Sequence, residues 1–111
     1  MAEVREIRAE EFEAEVLNSP TPVIVDFRAD WCYPCRMLEP VIEEIAREYE
    51  GRVKVVKVDI SGEGASDLAS RYGVMSIPTL LFVKGGKVVE RIVGVVPKEE
   101  IEEAIKRFFE A

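Results

Sequence analysis

Apolar residues recur along this chain with two periods that take turns. Glu11 to Leu17 places Phe12, Val16 and Leu17 at helical spacing, and Asn18-Ser19-Pro20 then stops the helix this predicts. Val4-Arg5-Glu6-Ile7 before it reads as a short first strand. Val23-Ile24-Val25-Asp26-Phe27 is a nearly unbroken apolar run, the pattern of a strand covered on both faces. From Cys32 the period becomes helical: Met37, Leu38, Val41, Ile42, Ile45 and Tyr49 form one stripe, with Glu43, Glu44, Arg47 and Glu48 opposite, until Gly51 ends it. Pro40 lies inside that stripe, lacks an N–H and is expected to kink the helix.

The second half repeats the alternation. Val53 to Ile60 is β-branched and strand-like, Gly62 to Gly64 makes a turn, and a short helix ends near Tyr72-Gly73. Thr79 to Val83 and Lys87 to Val93 read as strands joined by Gly85-Gly86, a hairpin signal. Pro97 opens a last helix whose buried face is Ile101, Ala104, Ile105 and Phe108. The predicted order is β-α-β-α-β-α-β-β-α: an α/β fold with a central mixed sheet and helices on both faces. No repeat or linker divides the chain, so one domain over residues 1–111 is expected.

Composition changes this picture in three ways. The net charge of −7 argues against nucleic acid or an anionic membrane as a partner. No apolar run approaches the roughly 20 residues of a membrane span. Met1-Ala2-Glu3-Val4-Arg5-Glu6 is charged and lacks the apolar segment of a signal peptide, so a cytoplasmic location is expected. With no His in the chain, histidine-based catalysis and His metal ligation are excluded. Gln is absent and Asn18 is the only Asn, whereas Glu, Lys and Arg abound. That bias suits a thermostable protein from a hot source, and a designed or consensus-derived sequence would share it.

The only cysteines stand in Trp31-Cys32-Tyr33-Pro34-Cys35, after the apolar run and at the start of a helix. A bridge between them closes too small a loop to constrain an unfolded chain much. A helix N-terminus favours a thiolate, so a reactive dithiol is expected rather than a structural staple. As half of a zinc site the pair would need a metal-bridged dimer, because the chain has no further Cys or His. No metal or cofactor is therefore expected. Asp26, in the middle of the apolar run, is either a buried carboxylate with a raised pKa or a strand-end residue reaching solvent. Pro78 suits a strand entry, with trans as the default isomer.

Phe27 through Cys35, the helix with Pro40, Lys57 on the next strand, Tyr72-Gly73-Val74, Ile77-Pro78-Thr79 and Gly94 together resemble the thioredoxin family, in order from about Val4 to Phe108. The resemblance implies a thiol–disulfide oxidoreductase that reduces protein disulfides, works as a monomer and is recharged by a flavin-dependent reductase. It implies Cys32 as an exposed nucleophile and Cys35 as a more buried resolving thiol. Asp26 would lie behind the dithiol and help deprotonate that second thiol, with Lys57 nearby. Ile77-Pro78 would be a cis peptide. Trp31, Tyr33, Pro34, Ile77, Pro78 and the Val93-Gly94-Val95 segment would meet the substrate chain. Tyr33 and Arg28 depart from the family pattern, which commonly has Gly and an aromatic there. Tyr33 is expected to face solvent and tune the reduction potential, and Arg28 to add a cation that neighbouring Asp30 could neutralise. A more oxidising isomerase-like or glutaredoxin-like protein, and a non-catalytic interaction module, are the alternatives.

Overall fold

The computed structural model describes residues 4–110; Met1–Glu3 and Ala111, at the ends of the expected domain, lie outside the described residues. Five strands form one sheet: β1 (Arg5–Glu6), β2 (Val23–Arg28), β3 (Lys54–Asp59), β4 (Thr79–Lys84) and β5 (Lys87–Val93), ordered β1-β3-β2-β4-β5. The first three run parallel, while β4 and β5 are antiparallel to their neighbours. The β4–β5 hairpin turns on Gly85 and Gly86, whose φ angles of 59° and 79° only glycine adopts without strain.

Helices α1 (Tyr33–Glu48) and α3 (Lys98–Phe108) cover one face of the sheet, where Ile24, Leu80 and Phe82 meet Leu38, Ile42, Ile45, Ile101 and Ile105. Helix α2 (Ala65–Arg71) and the segment before β2 cover the other, where Val25, Phe27, Val56 and Leu81 meet Phe12, Val16 and Leu68. This is the mixed, doubly covered sheet that the strand and helix patterns predicted. The α1 helix continues through Pro40, and Gly51 (φ 88°) follows its end.

Two expectations are corrected. The segment Glu11 to Leu17 is not an α-helix but a 3-10 turn, Ala9–Glu11, followed by a π-helical turn, Glu13–Leu17, closed by the Asn18 N–H donating to the Glu13 carbonyl at 2.9 Å. Its anchors, Phe12 and Val16, are both buried, and a four-residue spacing suits either helix pitch. Met37 does not belong to the buried face of α1: it is 52% exposed, at the edge of the stripe.

Candidate active site

The strand alternation decides which side chains of β2 meet α1. Val23, Val25 and Phe27 point to the α2 side, so Ile24, Asp26 and Arg28 point to the α1 side. Parallel pairing with β3 sets Lys57 beside Asp26 and Asp59 beside Arg28, and antiparallel pairing with β4 sets Leu80 on the other side of Asp26. Along α1, Cys35 and Glu39 are one turn apart and share a face.

Cys32 is the N-cap of α1, with extended backbone (φ −92°, ψ 108°). Its sulfur accepts the Cys35 backbone N–H at 3.2 Å, using one of the donors that a helix start leaves unpaired. Pro34 lies in the first turn, where its missing N–H costs nothing. The two cysteines are joined as a disulfide, Cα to Cα 5.3 Å. Cys32 was expected to be exposed, and this is corrected: it is 6% exposed, against 1% for Cys35. Ala29, Ile60 and Ile77 pack around the pair, and the Ile77 carbonyl oxygen lies 3.9 Å from the Cys32 sulfur. Cys32 keeps the greater access of the two.

Ile77-Pro78 is a cis peptide, as the resemblance implied. Pro78 is buried and its carbonyl accepts the Gly94 N–H at 2.8 Å, which ties the end of β5 to the loop facing the dithiol. Trp31 (72% exposed), Tyr33 (70%) and Pro34 flank the cysteines along the chain and are exposed; Val93 (55%) is exposed at the end of β5, and Ile77 and Gly94 are half-buried. Trp31 and Ile77 border one hollow, while Tyr33 and Val93 line two other grooves. The sequence reading missed Met75, 96% exposed beside Ile77. With Trp31, Ile60, Val74, Ser76 and Ile77 it lines a hollow of about 320 Å³. A methionine belonging to no periodic stripe, just before an X-Pro step, was the available signal.

Asp26 is buried, and its Oδ1 has no hydrogen-bond partner among the described residues. Burial pushes its pKa up from 3.8 to about 7, against the pull of the Arg28 and Lys57 charges and with a smaller push from Glu39. Lys57 is half-buried. Arg28 is buried, not solvent-facing: its guanidinium pairs with Asp30 at 2.8 Å, Asp59 at 3.6 Å and Glu39 at 3.8 Å. No group of three or more acidic or cysteine side chains suited to a metal ion occurs among the described residues.

A bridged cysteine pair at a helix start, roofed by an X-Pro loop and preceded by a strand whose buried carboxylate has its pKa pushed up to about 7, defines a redox α/β protein. A family model described as Thioredoxin matches residues 3–107. Thioredoxin 1 of Nostoc sp. is 46% identical over 107 residues, which is 96% of this chain and 98% of that protein. Thioredoxin of Synechocystis sp. is 47% identical, covering 87% and 89% respectively. Thioredoxin 2 of Chlorobaculum tepidum is 50% identical over 81% of each. The chain belongs to the thioredoxin family. It is a thiol–disulfide oxidoreductase, a protein disulfide reductase whose working group is the Cys32–Cys35 pair.

Proposed function

We propose that Cys32 opens the reaction and Cys35 completes it, with Asp26 as proton acceptor. The Cys32 thiolate attacks one sulfur of a substrate disulfide. The substrate S–S bond breaks, a mixed disulfide forms on Cys32, and one substrate thiolate leaves. Cys35 then passes its proton to the Asp26 carboxylate and attacks the Cys32 sulfur. That closes the Cys32–Cys35 bond and releases the second substrate thiolate, which takes its proton from water. Two electrons pass from the dithiol to the substrate. A flavin-dependent thioredoxin reductase returns them.

The observation that carries these roles is the Cys32 sulfur at the helix cap, accepting the Cys35 N–H. The same N–H and the helix dipole favour a thiolate at Cys32 in the reduced protein, while Cys35 is more deeply buried, one turn before Glu39, whose charge reaches Asp26. Lys57 offsets part of the charge Asp26 carries when ionised. Trp31, Tyr33, Pro34, Ile77, Pro78, Val93 and Gly94 receive the substrate chain.

We expect Cys32→Ser to abolish disulfide reduction and Cys35→Ser to accumulate a mixed disulfide on Cys32. Alkylation of the reduced protein near neutral pH should label Cys32 well before Cys35. Earlier labelling of Cys35 would reverse the roles.

We read residues 1–111 as one domain acting as a monomer on disulfide-containing proteins in the cytoplasm. No helix of the described residues is long and apolar enough to cross a membrane, and a dithiol that must cycle needs a reducing compartment. Thermostability is part of the same reading. Arg5 joins Glu11 and Glu15, Lys54 joins Glu15, and Lys98 joins Glu44, linking separate elements by the kind of ion-pair network that matters most when hot. A melting temperature that drops markedly in high salt is the expected sign.

A further inference from the structure

Arg28 and Glu39 belong to no step described so far. Arg28 sits two residues beyond Asp26 on the same face of β2, and Glu39 sits one turn beyond Cys35 on the same face of α1. Their ion pair therefore crosses between the strand that carries the proton acceptor and the helix that carries the resolving thiol. The two differ in setting: the Arg28 side chain is 6% exposed, whereas that of Glu39 is 40% exposed. Both line a surface groove of about 690 Å³ with Asp30, Tyr33, Arg36 and Met37, which brings water to the outer side of the pair.

The charges around Asp26 are few. Its own strand supplies Arg28, β3 supplies Lys57, α1 supplies Glu39, and β4 presents the apolar Leu80. Arg28 is held in place by Asp59, its register partner on β3, and by Asp30 in the loop just before Trp31 and Cys32. A cation clamped by three carboxylates from three segments cannot drift away from the buried acid, so its field there is fixed by the fold.

We propose that the Arg28–Glu39 pair is a positioning element for the second step of disulfide exchange, holding two opposite charges beside Asp26 whose balance fixes the pH range in which Cys35 gives up its proton. This rests on the reading of Asp26 as proton acceptor. The two members act in opposite directions. Arg28 favours the ionised carboxylate, and Glu39 favours the protonated one.

The test compares Arg28→Met, Arg28→Lys and Glu39→Gln, each confirmed as folded by thermal unfolding. Two quantities are followed against pH: the carbon-13 shift of the Asp26 carboxyl in the oxidised protein, and the rate of insulin disulfide reduction. Arg28→Met should move both midpoints upward and Glu39→Gln should move both downward, each by on the order of half a unit. Arg28→Lys, which keeps the charge, should leave both near the parent value. A merely structural role would lower stability and leave the midpoints in place. Midpoints that stay put, or that move in the same direction for Arg28→Met and Glu39→Gln, overturn the proposal. If the Asp26 carboxyl shifts as stated but the rate profile does not follow, the reading of Asp26 as acceptor fails instead, and the pair's role in the reaction fails with it. Should Arg28→Met not fold, the downward shift in Glu39→Gln, at a half-exposed position, decides the matter alone.

Discussion

The two faces of β2 are equally buried and chemically opposite. Toward α2 the strand presents Val23, Val25 and Phe27, each 0% exposed and surrounded by apolar side chains. Toward α1 it presents Ile24, then Asp26 at 4% and Arg28 at 5%. The first face is what a buried strand needs for stability. The second carries two ionisable groups into a region where charge is costly, and that is the face turned to the dithiol helix. One strand thus divides its labour by residue parity. The odd positions are all apolar, and both ionisable groups of the strand sit on the even ones, beside the apolar Ile24.

The largest effect expected from this division is at Phe27. Phe27→Ala removes a fully buried ring from the α2-side core and should cost about 3–5 kcal/mol in denaturant unfolding. Activity per folded molecule should be little changed, since the ring faces away from the dithiol helix. A loss below about 1 kcal/mol would break the comparison, because the apolar face would not be the stabilising one.

One residue earlier the sign reverses. The folded-state pKa of Asp26, about 7, lies above its ordinary value of 3.8, so the native state holds a proton that the unfolded chain has lost between those values. Stability associated with this group is fully present below pH 4 and is lost as pH rises through 7. Asp26→Asn removes that loss and adds a buried amide with its own unmet hydrogen bonds. The net expectation is a gain of about 1–3 kcal/mol at pH 8, turning into a loss of about 1–3 kcal/mol near pH 4 where only the amide cost remains, with slower disulfide reduction. A destabilised Asp26→Asn at pH 8 with unchanged turnover would remove Asp26 from both the electrostatic and the catalytic account. Neighbouring residues on one strand would then no longer differ in kind.

How much of this was legible in the sequence follows from the range of each signal. The β4–β5 hairpin and the apolar faces of α1 and α3 are written locally, in Gly85-Gly86 and in helical spacing, and the structure agrees with them except at Met37, which is exposed. The pitch of the segment Glu11 to Leu17 is not written locally, because Phe12, Val16 and Leu17 span little more than one turn, too short to tell one helix type from another. Asp26 was visible as an oddity within an apolar run. The burial of Arg28 was not visible, since its partners Glu39 and Asp59 come from 11 and 31 positions further along and meet it only through sheet register and helix packing. Cys32 was expected to be exposed for a similar reason: the Ile77 loop that roofs it lies 45 residues away. Local patterns specify elements, whereas the environment of a charge or a thiol is a tertiary property.

Tyr33 provides the smallest and sharpest version of the comparison, since it is the departure from the family pattern that touches little. It is the first residue of α1, 70% exposed, next to Cys32, which is itself nearly buried. Its side chain lines the same groove as Arg28 and Glu39 and, unlike Arg28, is mostly exposed. Tyr33→Gly therefore removes almost no core contact. The cost is the added backbone freedom of a glycine in a first helical turn, under about 1 kcal/mol. The reduction potential should nevertheless change measurably on equilibration with glutathione, because the residues between the cysteines set the freedom and solvation of the reduced dithiol. A variant that loses several degrees of melting temperature and keeps its potential would show that Tyr33 packs rather than tunes. A variant that keeps both would leave the potential to the buried charges of Asp26, Arg28 and Glu39, and place all the chemistry of this site on the inner face of β2 and α1.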